Sequence, residues 1–140
     1  MILLDVNLLI YAYDSASPRR FAAGAWLEKT LSREPHVAFS WSAIQAFLRI
    51  VTNARYPGAL EPSAAVAIIQ SILGRENVVL NPGPRHWELL ADLIEDTKSY
   101  GPLITDAHIA ALAIEHGATL CTHDRDFARF PKLKIEYPLS

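Results

Sequence analysis

Three aspartates stand where this sequence could do chemistry: Asp5 at the end of "MILLD", Asp106 in "TDAHIAALAIEH" and Asp124 in "TLCTHDRDF", with Asp126 two residues further on. Carboxylates brought together repel and raise one another's pKa, and a bound cation removes that conflict. A donor set of oxygens without thiolate suits a hard ion, Mg²⁺ or Mn²⁺. Such an ion activates a water and neutralises a phosphate, so the expected chemistry is metal-assisted hydrolysis of a phosphodiester. Each acid also has an ordinary reading. Asp106, beside Thr105, is favoured in a first helical turn by the helix dipole. Asp5 suits a strand end, and Asp124 suits the turn that begins "DRDF". Only their meeting at one place makes a site.

The surrounding elements supply that meeting. Short apolar runs at 1–5, 37–40, 77–80 and 118–122 read as buried strands, with a fifth at 134–137. Helices are expected over 7–14, from the Ser17-Pro18 cap to about Ser32, and over 42–53, 61–74, 84–99 and 106–116. Thr105 is the expected cap of the last helix, and Trp87, Leu90, Ala91 and Ile94 the apolar face of the long one. Strands alternating with helices predict an α/β fold with a parallel sheet, in one domain spanning 1–140. Ligands of such sheets bind beyond the carboxyl ends of the strands. Asp5 and Asp124 follow the first and fourth strands. Asp106 opens the helix that leads into the fourth, which puts it on the same rim.

Composition narrows the function classes. The chain has 140 residues, 51% of them hydrophobic, enough for a core without staples. A single cysteine, Cys121, rules out an internal disulfide and fits a reducing, cytoplasmic setting. The apolar start lacks a basic region and is interrupted by Asp5 and Asn7, so it is not read as a signal peptide. No run approaches the length of a membrane span. The formal charge of −2 excludes a global basic field, so nucleic-acid contact would rest on local arginines and a metal.

Helix 42–53 has two faces. Ile44, Phe47, Leu48 and Val51 form the apolar one. Ser42, Ala46, Arg49 and Asn53 form a second, which reads either as a solvated face or as one that turns Arg49 and Asn53 toward the acids as substrate-binding residues. His123 is read as a loop residue beside the substrate. A zinc site from His116, Cys121 and His123 matches no common ligand spacing and is set aside. His36, His86 and His108 carry no pattern.

The segments "LLDVNLLIYA", "AFLRIVTN" and "TDAHIAALAIEHGATLCTHDRDFARFP" resemble the PIN-domain ribonucleases, specifically the VapC-type toxins of bacterial toxin–antitoxin pairs. The resemblance runs over essentially the whole chain, and its last segment is the most specific. It implies a three-layer α/β/α sandwich and a Mg²⁺-dependent endoribonuclease that acts as a homodimer. It also implies a VapB-type antitoxin that inhibits by occupying the groove over the active site. The family's metal site falls on Asp5, Asp106 and Asp124, with Asp126 as an assisting acid, and Asn7 and Thr122 match polar positions that steady the first and last acids. One position departs from the pattern. The family usually has a glutamate just before "FLR", and here Ala46 stands there.

Two rivals remain beside the ribonuclease reading. A phosphatase of the haloacid dehalogenase type would need a second aspartate two residues after Asp5, where Asn7 stands. A catalytically weak PIN-like domain that binds RNA or a partner without cutting is favoured by Ala46.

Overall fold

A computed structural model of the chain describes residues 1–75 and 78–139. Five strands form one sheet: β1 (Ile2–Leu4), β2 (Val37–Ser40), β3 (Val78–Leu80), β4 (Thr119–Cys121) and β5 (Ile135–Glu136). Their order is β3-β2-β1-β4-β5, and every neighbouring pair is parallel. The helices are α1 (Val6–Tyr13), α2 (Arg20–Arg33), α3 (Trp41–Val51), α4 (Pro62–Leu73), α5 (His86–Thr97) and α6 (Leu103–His116).

Alternation along the strands divides the core in two. Leu3, Ala38, Leu80 and Leu120 face a cluster built by α5 and α6, in which Ala107, Ala110, Ala111 and Leu112 are buried. Leu4, Val37 and Phe39 face the opposite cluster, with Leu9 of α1, Leu27 of α2, Phe47 of α3 and Ile69 of α4. The side-chain period of two sends successive residues to opposite faces, so both faces of a parallel sheet must be covered by helices. The result is the expected three-layer α/β/α sandwich.

Four expectations change in detail. Ser17 does not cap α2: its Oγ accepts from the Arg19 amide at 3.1 Å, within a turn that delays the helix to Arg20. Helix α6 begins at Leu103, two residues before Thr105 and three before the expected start, because the tight turn at Tyr100–Pro102, with Gly101 at φ 55°, delivers the chain into helix there. In α5 the inward stripe is Leu89, Leu90, Leu93 and Ile94, which leaves Trp87 off that stripe and 73% exposed. Asn53 falls beyond the end of α3, in a turn where its Oδ1 accepts from the Arg55 amide at 3.0 Å. Asn77, expected in the third strand, lies outside the described residues.

The β3-to-β4 crossover is pinned from the far end of α6. Glu115 accepts from the Gly83 amide at 2.8 Å and the Arg85 amide at 2.9 Å, N–H groups that open α5 and have no partner within it. These bonds hold its carboxyl below the usual range. A side chain at Gly83 would collide with Glu115, its Cβ falling 2.5 Å from Oε2.

Candidate active site

Asp5 leaves β1 and caps α1 in one step. Its Oδ1 accepts from the Val6 amide at 2.8 Å, the first N–H of the helix, while its own amide is bonded to the Cys121 carbonyl of β4 at 2.9 Å. The first strand's end is therefore tied to the fourth's. Thr122, fully buried just after β4, is the knot between them. Its hydroxyl donates to Asp5 Oδ2 at 2.6 Å and accepts from the Asp124 amide at 3.0 Å. Asn7 completes the network. Its Nδ2 lies 3.2 Å from Asp5 Oδ2 and 3.3 Å from Thr122 Oγ1, and its Oδ1 accepts from the His123 amide at 3.3 Å.

Asp124 begins the 3₁₀ turn Arg125–Arg129, and its Oδ1 accepts from the Asp126 amide at 2.9 Å. Asp126 itself is exposed. Asp106 enters from the first turn of α6 and is held by Arg129, whose Nη2 lies 3.3 Å from its Oδ2. Arg129 is fixed in turn: Nη1 donates to the Asp126 carbonyl at 2.6 Å, and the guanidinium lies 4.3 Å from the centroid of the Phe130 ring. Arg129 was not singled out in the sequence. Its signal is the basic residue three positions after Asp126, one turn of a 3₁₀ helix away.

The acids feel one another. Burial raises the Asp5 carboxyl above its ordinary range, the Thr122 and Val6 bonds oppose this, and the charges of Asp106 and Asp124 add to it. Burial also raises Asp106, against the pull of Arg129 and with the help of Asp124 and Asp126. Excess negative charge therefore gathers beyond the carboxyl ends of β1 and β4, where parallel sheets bind ligands.

The other candidates fall elsewhere. Arg49 and Asn53 are not bonded to any of the acids among the described residues, and both line a separate cavity with Arg55 and Tyr56. His123 packs edge-on against Tyr11, with ring centroids 5.7 Å apart. Ala46 is half-buried on α3. His116, Cys121 and His123 do not converge: His116 bonds to the Asn81 carbonyl, and buried Cys121 has its thiol pushed up to about 12 by desolvation and Glu136. Sequence reading also missed a contact between α5 and α6, where His86 Nε2 and His108 Nδ1 are 2.9 Å apart.

The PIN-domain family model matches residues 2–133. The chain belongs to the PIN-domain family. Relatives sharing this domain over full length include Ribonuclease VapC33 of Mycobacterium tuberculosis, 38% identical over 141 residues and 99% of both chains. Ribonuclease VapC37 of the same organism is 34% identical, covering 99% of this chain and 97% of that one. These identities place the PIN domain among the VapC group. Its fold is also that of VapBC2 from Rickettsia felis, solved bound to a promoter DNA fragment, with a TM-score of 0.72 at 21% identity over 97% and 98% of the two chains. The sarcin–ricin-loop-cleaving VapC20 of Mycobacterium tuberculosis superimposes with a TM-score of 0.67 at 17% identity over 91% and 93%.

The donor set of this PIN domain suits a hard divalent cation, being carboxylate oxygen contributed by three separate elements. In the conformation described, no three His, Cys, Asp or Glu side chains of the described residues close around one point. Asp5 Oδ2 is committed to Thr122 and Asn7, and Asp106 to Arg129. A cation would hold Asp5 and Asp124 with little change in their bonding to the backbone. Asp106 would have to share itself between the ion and Arg129.

Proposed function

We propose that the chain is an endoribonuclease and the toxin of a VapBC-type pair. It hydrolyses RNA phosphodiester bonds with a divalent cation, Mg²⁺ or Mn²⁺, held by Asp5, Asp106 and Asp124. The observation that carries this reading is that one buried hydroxyl, Thr122, bonds both Asp5 and the Asp124 amide, with Asp106 close enough for its charge to act on Asp5. Full-length relatives named ribonucleases support the substrate class. When bound, the ion supplies an activated water and charge neutralisation at the phosphate. The protein's own part is to hold the acids still. Thr122 and Asn7 fix Asp5, and the Thr122 hydroxyl and the Asp126 amide fix the stretch that carries Asp124. Arg129 pairs with Asp106 and offsets part of its charge.

A VapB-type antitoxin is the proposed partner, the natural restraint on a harmful ribonuclease. A basic side chain from it, placed among the carboxylates, would pair with them and displace the cation. The proposed working form is a cytoplasmic homodimer. Among the described residues no helix is long and apolar enough to cross a membrane.

Asp5→Asn, Asp106→Asn and Asp124→Asn keep the shape of each side chain and remove its charge. Each is expected to lower RNA cleavage at low Mg²⁺ by a factor of a hundred or more, about 2.7 kcal/mol in the barrier, with the circular dichroism spectrum unchanged. Full activity in any one of them removes that residue from the essential set. Ala46 favours a second reading, a weak or inactive PIN-like module that binds RNA or a partner. Wild-type chain that binds RNA yet shows no metal-dependent cleavage would select it.

A further inference from the structure

At the far end of α3, Arg49, Ile50, Asn53, Arg55, Tyr56 and Pro57 line an open cavity of about 240 Å³. Its charged groups are the guanidiniums of Arg49 and Arg55. Among the described residues neither guanidinium has a hydrogen-bond or ion-pair partner; Arg55 bonds only through its backbone. Asn53 spends its carbonyl oxygen on the Arg55 amide, which leaves its NH₂ for a ligand. Tyr56 donates its hydroxyl to Asp14 at 2.7 Å, and that carboxylate also accepts from the Ala16 amide. No carboxylate lines the cavity. In a chain of net charge −2, two unpaired arginines over one concavity are a local reversal of sign.

The cavity is joined to the acids by continuous structure. Helices α1 and α3 start from the carboxyl ends of adjacent strands, at Asp5 and Ser40, and the Tyr56–Asp14 bond ties their far ends together. From Ser40 to Arg49 the helix rises about 14 Å, a span that a few nucleotides of a single strand cover. Between the two places stands an aromatic step. Tyr11 lies one turn beyond Asn7 on the same face of α1, edge-on to His123, with the Arg19 guanidinium 5.5 Å from its ring centroid.

We infer that the Arg49–Asn53–Arg55 cavity is a phosphate subsite for the RNA strand, a few nucleotides from the bond that is cut, and that Tyr11 and His123 form the stacking step between. The inference rests on the ribonuclease reading above and deepens it. The two guanidiniums and the Asn53 NH₂ select an anion, and guanidiniums suit phosphate oxygens. Aromatic rings accept any base by stacking, which suits a single strand held without a broad basic surface.

The test separates binding from cutting. In the Asp5→Asn background, fluorescence anisotropy measures affinity for a long single-stranded oligoribonucleotide, with and without Arg49→Gln/Arg55→Gln. The double change is expected to weaken binding about ten-fold and to lower the slope of log affinity against log salt by about 1.4, the loss of two contacts on a single strand. Each single change should give about half that slope change. With Asp5 restored, KM for the long RNA should rise while kcat holds, and a dinucleotide too short to reach the cavity should be cut as before. Arg49→Lys/Arg55→Lys should recover most of the salt slope. Unchanged affinity and slope, in a chain that binds and cuts RNA, overturns the subsite alone. Retained RNA binding with lost inhibition by the partner protein overturns it too, by assigning the cavity to an acidic segment of that partner. A wild-type chain that neither binds nor cuts RNA of any length overturns both the subsite and the ribonuclease reading.

Discussion

Ala46 is the residue at which the resemblance leads to the expectation of a glutamate. With a methyl group in place of that expected carboxylate, the site is proposed to hold its cation with fewer acids and more water, which Mg²⁺ tolerates. Asp126 is the proposed source of replacement charge. It is exposed, its amide is bonded to Asp124, and its charge reaches Asp106. Ala46→Glu is expected to tighten Mg²⁺ and Mn²⁺ binding several-fold by adding an acid, and Asp126→Asn to weaken it. Isothermal titration of the two ions into wild type and both variants decides this. If neither affinity moves, Ala46 and Asp126 both lie outside the metal site.

Among the elements, α3 does the most for the least sequence. Ser40 ends β2 and caps α3 at once, its buried Oγ accepting from the Ala43 amide at 3.1 Å. One serine thus closes the strand and satisfies an amide of the first helical turn. Ser40→Ala should cost about 1 kcal/mol of stability, the usual loss of an N-cap, measured by urea unfolding with an unchanged m-value. A negligible loss would mean that packing of Ile44, Phe47 and Val51 alone fixes the helix. The same logic explains why Ser17-Pro18 failed as a start signal: the hydroxyl bonded two residues ahead and made a turn.

For the whole molecule, burying the Asp5 carboxyl, with two other acids beside it, costs stability when it is ionised. The Asp5 carboxyl has a raised pKa in the fold. The folded state therefore binds more protons than the unfolded one between the unfolded pKa near 3.8 and the raised folded value. Its contribution is fully present below the lower value and is lost as pH rises through the higher one. Metal-free wild type should accordingly lose melting temperature relative to Asp5→Asn as pH rises from acid toward neutral. Mg²⁺ should restore the wild type at neutral pH and leave Asp5→Asn nearly unmoved. A wild-type-minus-variant difference that is flat with pH would show that Asp5 carries no such strain.

Much of this was legible in residue order. Short apolar runs alternating with capped helices dictate a doubly covered parallel sheet, because strands buried on both faces need helices on both sides. Given that sheet, Asp5 and Asp124 must lie at one edge, since both directly follow a strand. Asp106 joins them because α6 has to start where β4 ends. Tertiary structure alone decided what each side chain does there. Arg129 reached Asp106 because a 3₁₀ turn, with three residues per turn, folded it back over the rim. Thr122 came to serve two acids because β4 pairs with β1 and not with β3. Arg49 and Asn53 went to their own cavity because α3 ends at Val51 and the turn after it recruits Arg55 and Tyr56. Hydrophobic period and turn chemistry are local and survive in one dimension. Partners 115 or 117 residues apart, as for Asn7 and Asp5 with Thr122, exist only once the strands have chosen their neighbours.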